Sequence, residues 1–163
     1  MVALEDEIGT ALEITGLYFH RGAMGARSGE FSDFRITMGL CDADSLGETF
    51  DGNWLGNSMT EVFSRETVRL DVGAGEWFGF RFDSPYFYGG GHDLLVEVSW
   101  TDGSGSIYNF HEETGSGHLC LQAGSSSSAT GYWRPTRSQF ALEGTLHPDW
   151  QAYMDSLASV GPM

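Results

Sequence analysis

The feature that most constrains this chain is a short alternating run that leads directly into an acidic turn. Phe34, Ile36, Met38 and Leu40 are separated by Arg35, Thr37 and Gly39. In an extended chain the apolar side chains of such a run share one face, and this period of two is typical of a half-buried strand. The run therefore favours a β-sandwich.

The composition supports the same fold class. The chain has 163 residues, with 23 Gly, 11 Phe, 6 Tyr and 5 Trp against 8 Lys plus Arg. This balance indicates one domain of short aromatic strands joined by glycine turns. About eight to ten strands at this spacing, with no helices between them, predict an all-β, antiparallel two-sheet sandwich of jelly-roll type over residues 1–146.

The strand pattern predicts which side chains form the core. Residues 67–72 and 77–83 alternate on either side of a glycine turn at 73–75 and predict a hairpin. A strand through Val98 and Trp100 precedes a turn at 102–103 and a return strand at 106–111, whereas residues 20–30 have no apolar period and predict a loop. The side chains predicted to lie between the sheets are Ile36, Met38, Leu40, Leu70, Phe78, Phe80, Phe82, Leu94, Val96 and Leu121.

The last seventeen residues follow a different pattern. Pro148 stands at a first helical position, and an apolar stripe follows at helical spacing, formed by Trp150, Tyr153, Met154 and Leu157. Residues 147–163 are therefore predicted to form a short amphipathic helical tail. The stripe would dock either across the chain's own sheet or onto a neighbouring copy.

The net charge of −15 argues against some classes of partner. It repels phosphate backbones and anionic lipid surfaces, so we expect no nucleic-acid partner. No stretch of about 18 apolar residues is present, so membrane insertion is not expected either. Cys41 and Cys120 fall in separate predicted strands and could form one disulfide in an extracellular chain, but two thiols are the favoured interpretation.

The order of several segments resembles a known module. ITGLYFHRG, DFRITMGLCDADSLGETFDGN, EWFGFRFDSPYFYGGGHDLLVEVSW and RPTRSQFALEG follow one another in the chain. This series resembles a jelly-roll module common in secreted and surface, adhesin-like proteins of Bacteroidetes-like bacteria. The resemblance implies a non-catalytic extracellular module and carries no set of functional residues. Cys41 and Asp42 stand where the module usually has a His-Thr-like turn.

The acidic turn offers hard oxygen ligands. Asp42, Asp44, Glu48 and Asp51 lie within ten positions and are the ligand type that Ca²⁺ takes. The turn lacks the spacing of a helical calcium-binding loop. The favoured interpretation is a solvated turn in which Asp42 or Asp51 accepts backbone amides, and a calcium site is the alternative.

A set of aromatic residues sits in or beside the predicted loops: Trp54, Tyr86, Tyr88, Tyr132 and Trp133. Such rings stack on sugars or pack against another protein, and in a sandwich they also serve as core or rim.

Together these features predict a non-catalytic extracellular or cell-surface module for adhesion or glycan binding. The alternative is a self-assembling, homo-oligomeric subunit of a filament or surface array. An enzyme ranks last, because the sequence contains no coherent acid–base pair or nucleophile constellation.

Overall fold

The computed structural model describes residues 1–42, 46–113 and 118–146. The predicted C-terminal helix, with Trp150, Tyr153, Met154 and Leu157, lies outside the described residues, and so does Asp44.

Strands dominate the described residues. One helical turn, α1 (Glu5–Ile8), and one 3₁₀ turn (Asp51–Asn53) accompany them. The strands are β1 (Val2–Ala3), β2 (Leu12–Gly25), β3 (Ser28–Cys41), β4 (Thr60–Asp71), β5 (Trp77–Tyr88), β6 (Asp93–Ser99), β7 (Asp102–Ser104), β8 (Ile107–Asn109), β9 (His111–Glu113), β10 (Leu121–Gln122), β11 (Tyr132–Trp133), β12 (Thr136–Ser138) and β13 (Phe140–Thr145). Neither helical turn in this part of the chain is long enough to span a membrane.

The strands form two larger sheets and two small ribbons. The first sheet has the order β1-β6-β3-β4, and β7 continues β6 along β3. The second sheet has the order β13-β2-β5, and β8 pairs with the far end of β2. The ribbons are β10–β11 and β9–β12. All of these described pairs are antiparallel, which confirms the predicted all-β class.

Both larger sheets contribute to one hydrophobic core. Ile36 and Met38 from β3 are fully buried together with Ile14 and Leu17 from β2. Each such side chain contributes about 1.5–3 kcal/mol when it leaves water. Three more of the predicted core residues are buried in this cluster: Phe80, Leu94 and Val96. Four are partly buried and pack against it: Leu40, Leu70, Phe78 and Phe82. The last, Leu121, packs against a second cluster.

The second cluster covers the opposite face of the first sheet. Cys41 and Leu95 alternate with core residues along β3 and β6, so they point away from the main core and pack with Val2, Leu46 and Leu119. The ring of Trp54 lies against Gly39, where a Cβ would be 2.7 Å from Trp54 Cε3. A glycine at this position therefore lets the indole approach the strand.

The predicted hairpin between residues 67–72 and 77–83 is wrong in its pairing. Both segments are strands, but β4 pairs with β3 in the first sheet and β5 pairs with β2 in the second. The turn at 72–76 therefore carries the chain from one sheet to the other. A turn of this length is compatible with either arrangement, so local sequence does not distinguish them.

The predicted loop at residues 20–30 is largely strand, because β2 runs to Gly25 and β3 begins at Ser28. Arg21, only 2% exposed, explains why an apolar period is missing here. Its guanidinium donates to a ring of backbone carbonyls that includes Ala26 at 2.8 Å and Tyr108 at 3.2 Å. A buried cation thus organises the segment in place of apolar side chains.

Candidate functional site

Three strands meet at a junction that shapes the candidate site. The amide of His20 donates to the Gln139 carbonyl (3.2 Å), the amide of Phe110 to the His20 carbonyl (2.8 Å) and the amide of Gln139 to the Phe110 carbonyl (2.7 Å). These three hydrogen bonds close a backbone ring. On one side of this ring β2 pairs with β13, and on the other side β2 pairs with β8. The β9–β12 ribbon therefore diverges from the second sheet at this point.

Arg137 of β12 fastens the diverging ribbon to the edge of the first sheet. Its Nη1 donates to the Val2 carbonyl at 2.5 Å and to Glu7 Oε2 at 2.8 Å, and its Nε donates to Glu112 at 2.6 Å. The Arg137 hydrogen bond lowers the pKa of the Glu7 carboxyl. Because Arg137 is buried and satisfied by two carboxylates and a carbonyl, the position of the ribbon is well determined.

A cleft of about 630 Å³ lies along the edge of β6, beside β8 and this ribbon. Val96 and Val98 line it from β6, Ile107 and Asn109 from β8, and Ser138 from β12. The phenylalanines that reach it from between the sheets are Phe19, Phe31, Phe34, Phe78 and Phe80. The volume lies in the range of about 300–1,000 Å³ that is typical of ligand pockets.

Two exposed aromatic residues belong to the lining of the cleft. Trp100 is 44% exposed and Tyr108 is 53% exposed. The Trp100 ring stacks on Phe34 with centroids 6.3 Å apart, and its contact with Phe31 is edge-on at 5.6 Å. Its orientation is therefore fixed by the core while part of its surface faces solvent. Aromatic side chains of this kind are typical anchors of protein interfaces.

Glu97 is the acidic group in the lining of the cleft. Burial raises the pKa of its carboxyl, the Met1 amine opposes this rise, and Asp51 adds to it. No side-chain ion pair includes Glu97 in the part of the chain that the structure describes. The cleft thus combines apolar walls with one partly buried carboxyl, and Arg134 and His111 also belong to its lining.

The acidic turn is not gathered into a metal site by the described residues. Asp42 Oδ1 lies 2.5 Å from His92 Nδ1, and Glu48 and Asp51 are exposed. Across residues 1–42, 46–113 and 118–146, no three His, Cys, Asp or Glu side chains are close enough together to hold a metal ion. Asp44 lies outside these ranges, so calcium binding by the complete turn stays a prediction.

Two of the predicted loop aromatics are core residues. Tyr86 and Tyr88 lie on β5, which extends further than the sequence indicated, and both are buried. Tyr88 donates its hydroxyl to the His92 carbonyl at 2.6 Å, and burial raises its pKa to about 12. Neither ring can stack on a ligand. Pro85 does not end β5, because residues 82–85 have no partners on β2 in the described register. No hydrogen bond between these two strands therefore needs an amide at position 85.

The other three predicted aromatics lie on the outer side of the first sheet. Trp54 covers Gly39 and lines the cleft. Trp133 donates its Nε1 to the Leu46 carbonyl at 2.7 Å and stacks on His118 at 4.3 Å, whereas Tyr132 is 51% exposed. Of the three, Tyr132 is therefore the most accessible ring. Cys41 and Cys120 form no disulfide with each other in this structure.

Sequence reasoning missed the cleft itself. It treated Trp100 as one more residue of a strand and residues 106–111 as that strand's hairpin partner. The structure instead continues β6 into β7 on β3 and pairs residues 107–109 with β2 in the other sheet. The available signal was Trp100 itself, a large aromatic residue at the last alternating position before Thr101-Asp102-Gly103.

Comparisons with protein-family models, with curated proteins and with solved structures found no match to this chain.

Proposed function

We propose that this protein is a non-catalytic binding module of the cell surface or extracellular space that recognises another polypeptide through the cleft beside β6. The observation that carries the proposal is the pair of exposed aromatic residues, Trp100 and Tyr108, in the lining of an apolar cleft. A large aromatic side chain left in water by the free protein gains the most from burial by a partner.

The fold proposed with this function is a β-sandwich of jelly-roll type. In its support, the two larger sheets share one core, and the turns after β2 and β4 both pass between sheets. The net charge of −15 keeps an aromatic-rich surface soluble and supports a role outside the cell.

A polypeptide partner is favoured over a glycan because the loop aromatic residues that were predicted to form a glycan platform leave few accessible faces. Tyr86 and Tyr88 are buried, and the Trp133 ring already stacks on His118. Tyr132 is exposed, but Arg134 lies over its ring at 5.7 Å. A glycan platform would need at least one open aromatic face beside hydrogen-bonding groups.

A self-assembling subunit is the second candidate. It is favoured by the shortness of β1, which pairs with Leu94 and Leu95. With Met1 bonded to Val96, the β6 edge beyond Val96 faces the cleft. An edge strand of this kind also accepts a strand from another copy of the same chain. Sizing the purified protein over a range of concentrations separates this candidate from the first, since a monomer at every concentration would remove it.

The primary experiment is selection of binders from a display library of random decapeptides against the intact protein. Trp100→Ala and Tyr108→Ala should each weaken the binding of the selected peptides by at least about tenfold. The matched controls are Phe87→Ala and Tyr132→Ala, because these residues are 46% and 51% exposed and do not line the cleft. Urea unfolding of each variant checks that it remains folded.

The proposal would be abandoned if no peptide were enriched. It would also be abandoned if the cleft variants and the control variants bound the peptides equally well.

A further inference from the structure

The β6 edge presents unused backbone groups to the cleft. The Val96 amide donates to the Met1 carbonyl and the Val96 carbonyl accepts from the Met1 amine, both at 2.8 Å. In an antiparallel strand, residues two positions apart direct their backbone groups to the same side. The amide and carbonyl of Val98 therefore point away from β3, and among the described residues they have no partner on that side.

The β8 strand presents its own backbone groups on the other side of the cleft. Ser106 accepts from the Ala26 amide and Phe110 donates to the His20 carbonyl, so the even-numbered residues here face β2. The backbone groups of Ile107 and Asn109 consequently face away from β2. The side chain of Asn109 adds a buried Oδ1 that has no partner in the described part of the chain.

We propose that the occupant of the cleft is an extended basic peptide that adds a strand to the β6 edge. Its alternate apolar side chains would enter among the phenylalanines, and a Lys or Arg would stand beside Glu97. This inference rests on the proposed function and specifies the class of its partner.

The unused backbone groups distinguish an extended peptide from a purely apolar ligand. A fatty chain would fill the apolar volume but would leave the Val98 and Ile107 amides and carbonyls without hydrogen bonds. A strand satisfies such groups while its side chains alternate between two faces. An apolar residue at every second position then meets Phe34 and Phe78, which line the cleft.

Charge specifies the remaining positions of the peptide. Glu97 points to the face of β6 opposite Val96 and Val98, so a residue directly across from it on an added strand would lie on the same face. Its carboxyl lacks a side-chain ion-pair partner in the described chain, and a cationic residue would supply one. The overall charge of −15 attracts a basic segment as well.

The first test uses the decapeptides selected against the intact protein, resynthesised with an N-methyl group on each amide in turn. Strand addition predicts losses of at least about tenfold at every second residue, where the amide donates to β6, and further losses at those intervening residues whose amides donate to β8. Cleft-dependent binding that is indifferent to N-methylation would overturn strand addition and leave the proposed function intact. A selection that yields no cleft-dependent peptide would overturn both.

The second test addresses charge. Selected peptides should be rich in Lys and Arg. Glu97→Lys should weaken the binding of these peptides by at least about tenfold, and peptides that carry Glu at the sensitive position should restore it. Glu61→Lys is the control, since Glu61 is exposed, pairs with Arg35 and does not line the cleft. Equal binding by the two variants would contradict the basic character of the partner.

Amide hydrogen exchange provides a test that needs no peptide. The Val98, Ile107 and Asn109 amides should exchange rapidly in the free protein, whereas the Ile36 amide on the central strand β3 should be protected. Strong protection of all three edge amides in the free protein would mean that they already have partners, and this result would overturn the proposal.

Discussion

His20 and Gln139 are joined twice, once through their backbones and once through their side chains. The His20 amide donates to the Gln139 carbonyl, and His20 Nδ1 lies 2.7 Å from Gln139 Oε1. The imidazole stacks on Trp77 at 4.8 Å and contacts the Phe110 ring at 4.6 Å. The side chains thus reinforce the backbone ring from which the β9–β12 ribbon, one boundary of the cleft, departs.

We expect Gln139→Met to reduce the free energy of unfolding by about 0.5–1.5 kcal/mol, because it keeps the side-chain volume but removes the oxygen that faces His20. Urea unfolding with linear extrapolation measures the change. Gln122→Met, in an exposed position of β10, is the control and should change the value by less than about 0.5 kcal/mol. Equal effects of the two substitutions would show that the His20 contact contributes nothing.

The contact between Gly39 and Trp54 gives a second prediction. A methyl group at Gly39 would meet the indole at 2.7 and 2.8 Å, so Gly39→Ala should cost about 1–3 kcal/mol of unfolding free energy. Gly124→Ala is the control, because nothing lies within 4 Å of its added Cβ.

A double-mutant cycle then identifies the cause of the cost. If overpacking against the indole is responsible, Gly39→Ala should cost less in a Trp54→Ala background than in the wild type. Strictly additive effects would point to another cause.

Local pattern was enough to predict the strands and much of the core. The alternation from Phe34 to Leu40 does place Ile36 and Met38 in the core, and the Phe78–Phe80 row faces it as well. These predictions succeeded because one buried sheet face imposes a period of two on the sequence. The all-β class follows from the same pattern.

Strand partners could not be read in the same way. The turn between Val72 and Trp77 has the length of a hairpin, yet it connects two sheets, because pairing is decided by contacts between distant segments. For the same reason the cleft was not foreseen, since β6 and β8 are close in sequence but belong to different sheets. Tyr88 likewise belongs to a strand that reaches beyond Pro85.

The ion pair between Glu7 and Arg137 predicts a stability difference that depends on pH. The Arg137 hydrogen bond lowers the pKa of Glu7 below its ordinary 4.5. A depressed pKa means that the stabilisation is present above pH 4.5 and is lost as pH falls through the folded-state value. Glu7→Gln should therefore lower the free energy of unfolding by about 1–2 kcal/mol near neutral pH, after allowance for the partial exposure of Glu7. The loss should become progressively smaller in acid.

Urea unfolding at a series of pH values measures this difference. Glu61→Gln, which removes an exposed partner of Arg35, is the control and should cost less than about 1 kcal/mol at every pH. A cost of Glu7→Gln that stayed constant from neutral to acid pH would contradict the assignment.

The buried hydroxyl of Tyr88 predicts the opposite dependence, at alkaline pH. Burial raises its pKa from 10.0 to about 12. The unfolded chain therefore releases this proton at a lower pH than the folded protein does, so the stabilisation is complete below pH 10 and is lost as pH rises towards 12. Tyr88→Phe removes the hydrogen bond to the His92 carbonyl and should cost about 0.5–1.5 kcal/mol at neutral pH. Above pH 10 the variant should lose less stability than the wild type, so the two unfolding free energies should converge.

Tyr108→Phe, at an exposed phenol, is the control and should follow the wild type throughout. Ultraviolet absorbance of phenolate during the titration reports the ionisation directly, and a Tyr88-dependent signal that appeared below pH 10 in the folded protein would contradict the burial of this hydroxyl.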